Sequence, residues 1–239
     1  MTTPDQNASN RPQSEPSITP KMEDYLRQIY LLGVNDDGWV SNSAIAQRLN
    51  VTRASVTSML ETLSDRGLIE WRRYQPIRLT ADGKMLALRI VRRHRLAEMM
   101  LFELFDYAIG DVDAEADVLE HNLSRKLCRA IEEELGMPET DPHGDPIPDV
   151  DLDISQADQG KPLSDVPESS QIRVCRILTQ DKDTLDYLDS VGIRPTAQLR
   201  LENTTPIGMV SVRPVDSQEG VNLPQEIASK ILVEMVGHE

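Results

Sequence analysis

Between Asp113 and Ser124 the chain reads DAEADVLEHNLS. Wound as a helix, this stretch sets Asp113, Asp117 and His121 four apart with Glu120 beside them. Three carboxylates and an imidazole then share one stripe. Like charges this close repel one another unless a positive charge sits among them. A divalent cation supplies that charge, and carboxylate plus imidazole is a fitting ligand set for one. Upstream, RRHRLAEMM places His94 and Glu98 four apart on one helical face, and MEDYLRQIY offers Asp24. Each group also has a plainer reading. Asp117, Glu120 and His121 could form a solvated acidic face. His94 and Glu98 could be a helical ion pair, with Arg92, Arg93 and Arg95 as alternative partners. Asp24 could simply favour a helix N-terminus. His143 and His238 fall in a linker and the tail and receive no role, and Cys128 is assigned to packing. A metallohydrolase would use a similar cluster to activate water. No separate nucleophile or oxyanion motif accompanies these residues, so an enzyme is not expected.

The elements that must position these residues follow from periodicity. MEDYLRQIYLL spaces Met22, Tyr25, Leu26, Ile29 and Tyr30 as the apolar face of a helix. Asn42 or Ser43 can cap a second helix, SAIAQRLN. Thr52 can cap a third, with Val56, Met59, Leu60 and Leu63 as its buried stripe and Gly67 as its stop. LIEWRRYQPIRLT alternates around a turn at Gln75-Pro76 and reads as a β-hairpin. A long helix capped by Thr80 runs to about Phe105. A second long helix runs from about Val112 to Leu135 and stops at Gly136. Residues 138–169 are rich in Pro, Asp, Gly and Ser, with little helix or strand of their own. Beyond them QIRVCRIL, AQLRLEN and MVSVRPV read as short strands. A helix from about Lys182 to Val191 lies between the first two, and LPQEIASKILVEMV closes the chain. This is a small α+β module, compatible with a compact barrel.

Composition narrows the classes. No apolar run is long enough to span a membrane. The polar, Pro/Ser-rich first residues are read as a disordered tail rather than a signal peptide. Two distant cysteines suit free thiols in a reducing, cytoplasmic setting. The net charge of −15 is unevenly spread. Residues 1–95 hold 14 Lys and Arg against 10 Asp and Glu, a balance of +4, whereas the remaining residues hold 11 against 30, a balance of −19. A slightly basic front is thus joined to a very acidic back. An acidic, aromatic-poor surface also fits a cytoplasm of high salt.

Helix, helix, short turn, helix and hairpin is the order of a winged helix-turn-helix, whose second helix of the pair enters the major groove. Here that helix would present Thr52, Arg53, Ala54, Ser55, Thr57 and Ser58. Short hydroxyl side chains permit close approach, and Arg53 can reach a phosphate or a guanine edge. Arg72, Arg73 and Arg78 on the hairpin suit contact with the DNA backbone. Winged helices also serve as protein-interaction modules, so the order alone does not decide function.

Taken together, MEDYLRQIYLL, VTRASVTSMLETLSDRGLIE, LTADGK, RRHRLAE, LEHNLS and HGDPIP resemble the diphtheria toxin repressor family of metal-dependent transcriptional repressors. The resemblance covers residues 20–148 well and is weaker over 170–239, where DSVGIRPT is similar to part of a third, SH3-like (FeoA-like) domain. It implies a mainly α fold with small β parts. Residues 1–19 would be the tail, 20–80 the winged helix-turn-helix domain and 81–140 a metal-binding and dimerisation domain. Residues 141–169 would be a linker, and 170–239 the SH3-like module. It also implies a homodimer on a palindromic double-stranded operator, with no membrane association, repressing metal-uptake genes. Asp24, Asp117, Glu120 and His121 match a primary metal site, and His94 and Glu98 an ancillary one. Asp113 replaces an ancillary histidine of the iron branch and is a further candidate. Asp24 falls where iron regulators have Met and manganese regulators Asp; Asp117 falls where they have Cys and Glu. Arg27 stands where a short manganese regulator has a ligand Glu. Asp181 and Thr184 are the positions nearest to the ligands that the iron branch's third domain donates. Carboxylates in place of sulfur make the primary site harder, which favours Mn²⁺, with Fe²⁺ the alternative. The competing function is a winged-helix regulator that responds to another ligand or to no metal.

Overall fold

The computed structural model describes residues 18–34, 37–154 and 160–236. The expected N-terminal tail lies almost wholly outside them, as does His238. The chain divides into two units, residues 1–80 and 81–239.

In the first unit, helix α1 (Pro20–Gly33) begins at Thr19, whose side chain accepts the Met22 N–H, with Pro20 at its first turn. It buries Met22, Tyr25, Leu26 and Ile29. Helix α2 (Asn42–Arg48) is capped by Ser41, which accepts the Ala44 N–H at 3.1 Å. The cap is therefore neither Asn42 nor Ser43. Ser41 is the residue with extended backbone, the conformation that aims a cap side chain at the first turn. Helix α3 (Arg53–Asp65) is capped by Thr52 as expected. It buries Val56, Leu60 and Leu63, while Met59 is only partly covered. Gly67 leaves α3 at φ +70°, and strands β1 (Ile69–Glu70) and β2 (Arg78–Leu79) pair antiparallel. Val40 adds a bridge to Ile77 beside them. The Thr80 hydroxyl donates to the Gly67 carbonyl at 2.8 Å and closes the base of the hairpin. Helix, helix, helix and wing thus surround one core of Tyr25, Leu26, Ile29, Ile45, Leu60, Leu63 and Ile77. Each such side chain contributes about 1.5–3 kcal/mol by leaving water.

In the second unit, helix α4 (Ala81–Phe105) is long, as expected. The following helix is not continuous. Helix α5 (Val112–Leu119) ends before Glu120, and helix α6 (Arg125–Glu134) restarts after a turn. The Ser124 side chain accepts the Leu127 N–H and caps α6, so the Asn-Leu-Ser stretch serves as a helix start rather than an interior. Helices α4 to α6 bury Leu96, Ala97, Leu101, Val112, Ala116, Leu123, Cys128 and Ile131, joined by Ile147 from the next loop.

A six-stranded antiparallel sheet completes this unit. Its strands are β3 (Lys161–Pro162), β4 (Gln171–Ile177), β5 (Gln198–Thr204), β6 (Met209–Pro214), β7 (Val221–Pro224) and β8 (Ile231–Met235), in the order β3-β8-β4-β5-β6-β7. Register shifts after Val174 and Leu201 bend the two central pairings. The sheet starts within the stretch read as linker: Leu163 and Val166 from that stretch lie in its core. Helices α7 (Lys182–Ser190) and α8 (Gln225–Ala228) complete the module. It is fastened to the helices by Ile109 in its core, by a Lys182–Asp111 ion pair at 2.6 Å and by the Gly110 N–H donating to Asp186 at 3.1 Å. A Cβ at residue 110 would lie 2.8 Å from Lys182 and Asp186, so this contact requires glycine.

Candidate metal centre and nucleic-acid interface

The centre of the second unit is His94. Its place on α4 turns the ring towards α5, and four carboxylates surround it. Nδ1 lies 2.8 Å from Glu120 and 3.4 Å from Asp117; Nε2 lies 3.3 Å from Asp113 and 3.4 Å from Glu98. Glu120 is completely buried, whereas the Asp113 and Asp117 side chains are 40% and 48% exposed. The His121 ring is 3.7 Å from Glu120. Asp113 and Asp117 come from α5, and Glu120 and His121 from the turn at its C-terminal end. That end carries the negative pole of the helix dipole and favours a cation. The expected continuous stripe is thus delivered partly by a helix and partly by a turn.

Sequence reasoning missed a second group. Glu98, one turn along α4 from His94, also faces His143, whose Nδ1 lies 3.6 Å away. His143 Nδ1 is 3.9 Å from Asp141. These three side chains are buried. The loop carrying Asp141 and His143 is built tightly. Asp141 accepts the backbone N–H groups of His143 and Asp145, each at 2.9 Å. Arg92 donates to the Pro148 carbonyl at 2.5 Å, and Arg95 to that of Pro146. On its other side the loop meets β4: the Ile177 N–H donates to the His143 carbonyl at 2.8 Å, and Arg176 pairs with Asp145. Gly144 sits at φ +88°, where a Cβ would collide with the Cys175 carbonyl. The HGDPIP motif therefore packs between α4 and the sheet. Its histidine carried a signal only through the resemblance of that motif.

The electrostatics mark both groups. Burial opposes a charged His94 ring, but Glu98 above all, together with Asp113 and Glu120, holds it well above its ordinary 6.5. Burial likewise works against the Glu98 carboxylate, yet the His94 and His143 charges lower it. Asp141 goes the other way: burial, then the charges of Glu98 and Asp145, raise it well above the usual carboxylate range despite Arg95. The donor atoms of His94, Asp113 and Asp117 lie within 4.8 Å of one another, as do those of Glu98, Asp141 and His143. His143 Nε2 is buried with no hydrogen-bond partner. Concentrated carboxylates, a shared acid and a buried lone ring nitrogen are what a divalent cation would satisfy. Cys128 sits in the apolar cluster of α4 to α6 and offers no soft ligand. Asp181, near an expected third-domain donor, is committed to capping α7, where it accepts from the Thr184 N–H and hydroxyl.

In the first unit Asp24 lies partly exposed on α1. On α3, Thr52, Arg53, Ala54, Ser55 and Ser58 are exposed, and Thr57 is partly covered. The Thr57 hydroxyl donates to the Arg53 carbonyl and accepts from Asn42, so it ties α2 to α3. Arg72 and Arg73 are exposed on the wing. Arg78, with its side chain 43% exposed, pairs with Glu70 at 2.7 Å and stacks over Trp39.

Residues 17–77 match the iron dependent repressor N-terminal DNA binding domain, and residues 80–149 the iron dependent repressor metal binding and dimerisation domain. The chain belongs to the iron-dependent repressor family. Residues 161–235 match the FeoA domain. The iron-dependent repressor IdeR of Mycobacterium tuberculosis is 34% identical over 226 residues, covering 90% of this chain and 96% of that one. The regulator MntR of Lysinibacillus sphaericus is 37% identical over 106 residues, 44% of this chain and 75% of that one. A manganese-dependent transcriptional repressor solved in complex with manganese superposes with a TM-score of 0.80 at 32% identity, covering 90% of this chain and all of that one. This family member is therefore a metal-dependent, DNA-binding transcriptional repressor with a dimerisation domain, and not an enzyme. Among the described residues no helix is long and apolar enough to cross a membrane.

Proposed function

We propose that this repressor senses Mn²⁺, with Fe²⁺ the alternative ion, and then binds a palindromic operator in the cytoplasm to repress metal-uptake genes. The observation that carries the reading is the ring of four carboxylates around His94, all within 3.4 Å, without a sulfur donor. Hard oxygen and imidazole donors suit Mn²⁺, the weakest binder of the divalent series, which needs extra anionic ligands. Asp117, Glu120 and His121 are the proposed primary ligands, with Asp24 as the contribution of the DNA-binding unit. His94 and Glu98, with Asp113, are the proposed ancillary ligands. Asp141 and His143 extend that set through Glu98. When bound, the metal supplies the positive charge that this acid cluster lacks. The chain's own part is selection: a bound metal would favour the arrangement in which ligands on separate elements converge, so the DNA-competent form gains population. Coupling of about 1–3 kcal/mol per site is typical of such linkage.

The test is metal analysis of anaerobically purified protein, followed by operator binding against each metal. DNA binding should rise with Mn²⁺ and, less strongly, with Fe²⁺. Asp24→Ala and His121→Ala should lose that response. An unchanged metal response in both variants defeats the mechanism, and metal-independent binding favours the other winged-helix reading.

A further inference from the structure

Tyr74 stands at the tip of the wing and is 97% exposed. It is the most exposed large apolar side chain among the described residues. Its backbone has φ +66°, a region that Gly or Asn occupies at little cost and a bulky residue does not. The turn is closed by the Gln75 N–H donating to the Arg72 carbonyl at 3.0 Å. A folding requirement would be met more cheaply by a small polar residue, and no core contact holds the ring in place. Strain retained at an exposed aromatic points to work done outside the monomer.

The surroundings define the partner. Residues 71–77, WRRYQPI, contain no acid, and Arg72 and Arg73 directly precede Tyr74, both exposed. The base of the wing is stiff. Val40 and Ile77 exchange backbone hydrogen bonds at 2.8 and 2.7 Å, and Arg78 is spent on Glu70 and on the Trp39 face, 4.7 Å from its centroid. The wing therefore carries one exposed aromatic ring directly after two exposed arginines. Such a set fits the minor groove of duplex DNA: arginines are drawn to its negative potential, and an apolar side chain can pack along its walls or at a base step. The Tyr hydroxyl can donate to the acceptors that A·T pairs present there.

We propose that Tyr74 is a DNA-contacting residue of this repressor, docking in the minor groove that flanks the major-groove site of α3. Arg72 and Arg73 hold the neighbouring phosphates, and Tyr74 adds contact without charge. The inference rests on DNA binding by this domain.

The probe is a duplex isolated by repeated selection from a random-sequence pool with the full, Mn²⁺-loaded chain. Affinity is measured over a salt series, and groove protection by hydroxyl-radical cleavage. Tyr74→Ala should weaken binding about tenfold with an unchanged salt slope, because no charge is removed. It should also lose protection of the flanking minor groove. Tyr74→Phe should recover most of the affinity. Arg72→Ala and Arg73→Ala should each flatten the salt slope instead. The exposed ring supports no core, so the thermal midpoint should not move. The proposal is overturned if Tyr74→Ala binds within about twofold of wild type or keeps the flanking protection. It is also overturned if that variant loses affinity only because its dimer dissociates in sedimentation, which would assign the ring to a second copy. Failure of the wild-type chain to select any duplex would instead remove DNA binding itself, and an Arg53→Ala variant that loses binding beside an unaffected Tyr74→Ala would remove the wing alone.

Discussion

The two donor groups that meet at Glu98 are built differently. Around His94 the carboxylates come from two neighbouring helices and the turn after one of them, and Asp113 and Asp117 remain open to solvent. Around His143 the donors come from a loop pinned between α4 and β4, and the group is closed. An open group can adjust its ligands and exchange its ion. A closed one is preorganised, and removing a member leaves buried charges behind. We expect the first group to govern the metal response and the second to govern the stability of the metal-loaded form.

Removing the acid that both groups share should have the largest effect. Glu98→Gln should lower metal affinity by on the order of 100-fold and reduce the bound equivalents, by calorimetric titration with Mn²⁺. Equal losses at two independent sites would break the idea of a shared ligand. His143→Ala comes next. It should cost about 1–3 kcal/mol of stability because Glu98 and Asp141 lose a buried partner, read by denaturant unfolding with and without metal. A variant as stable as the parent in both states would remove the contrast. Asp113→Asn should cost less, about tenfold or below in Mn²⁺ affinity, since its side chain is half open to water. A loss as great as that of Glu98→Gln would mean that exposure does not separate the two groups.

The smallest effect expected is a pH slope. His94 is raised in the metal-free fold, so its contribution to stability is full below 6.5 and is lost as pH rises through the raised value. Metal requires the unprotonated ring, so stabilisation by Mn²⁺ should instead grow over that range. Thermal midpoints with chelator and with Mn²⁺ should therefore move in opposite directions as pH rises. Parallel slopes would show that His94 does not exchange its proton for metal.

The wing and the three-helix head were readable because their signals are local. Apolar spacing marked α1 and α3, Thr52 announced its helix, and Gln75-Pro76 announced a turn, which the structure centres just before them on Arg73 and Tyr74. His94 and Glu98 were legible for the same reason, being one helical turn apart. The break after Leu119 was harder to read. Apolar periodicity runs through the Asn-Leu-Ser stretch, and only the cap at Ser124 shows that two helices replaced one. The pairing of Arg78 with Glu70 and Trp39 was not legible, because it depends on how the wing folds back on the head.

By itself the sequence determined which residues recur on each helical face, where the chain turns, and that acids and histidines crowd certain faces. These follow from backbone geometry within a few residues. Only the tertiary structure decided that His94 lies among carboxylates of another helix, and that Asp141 and His143 close on Glu98. A loop has no period to betray where its side chains go. Their meeting depends on the Arg92 and Arg95 contacts and on β4 folding against the loop, which are long-range closures that no local pattern encodes.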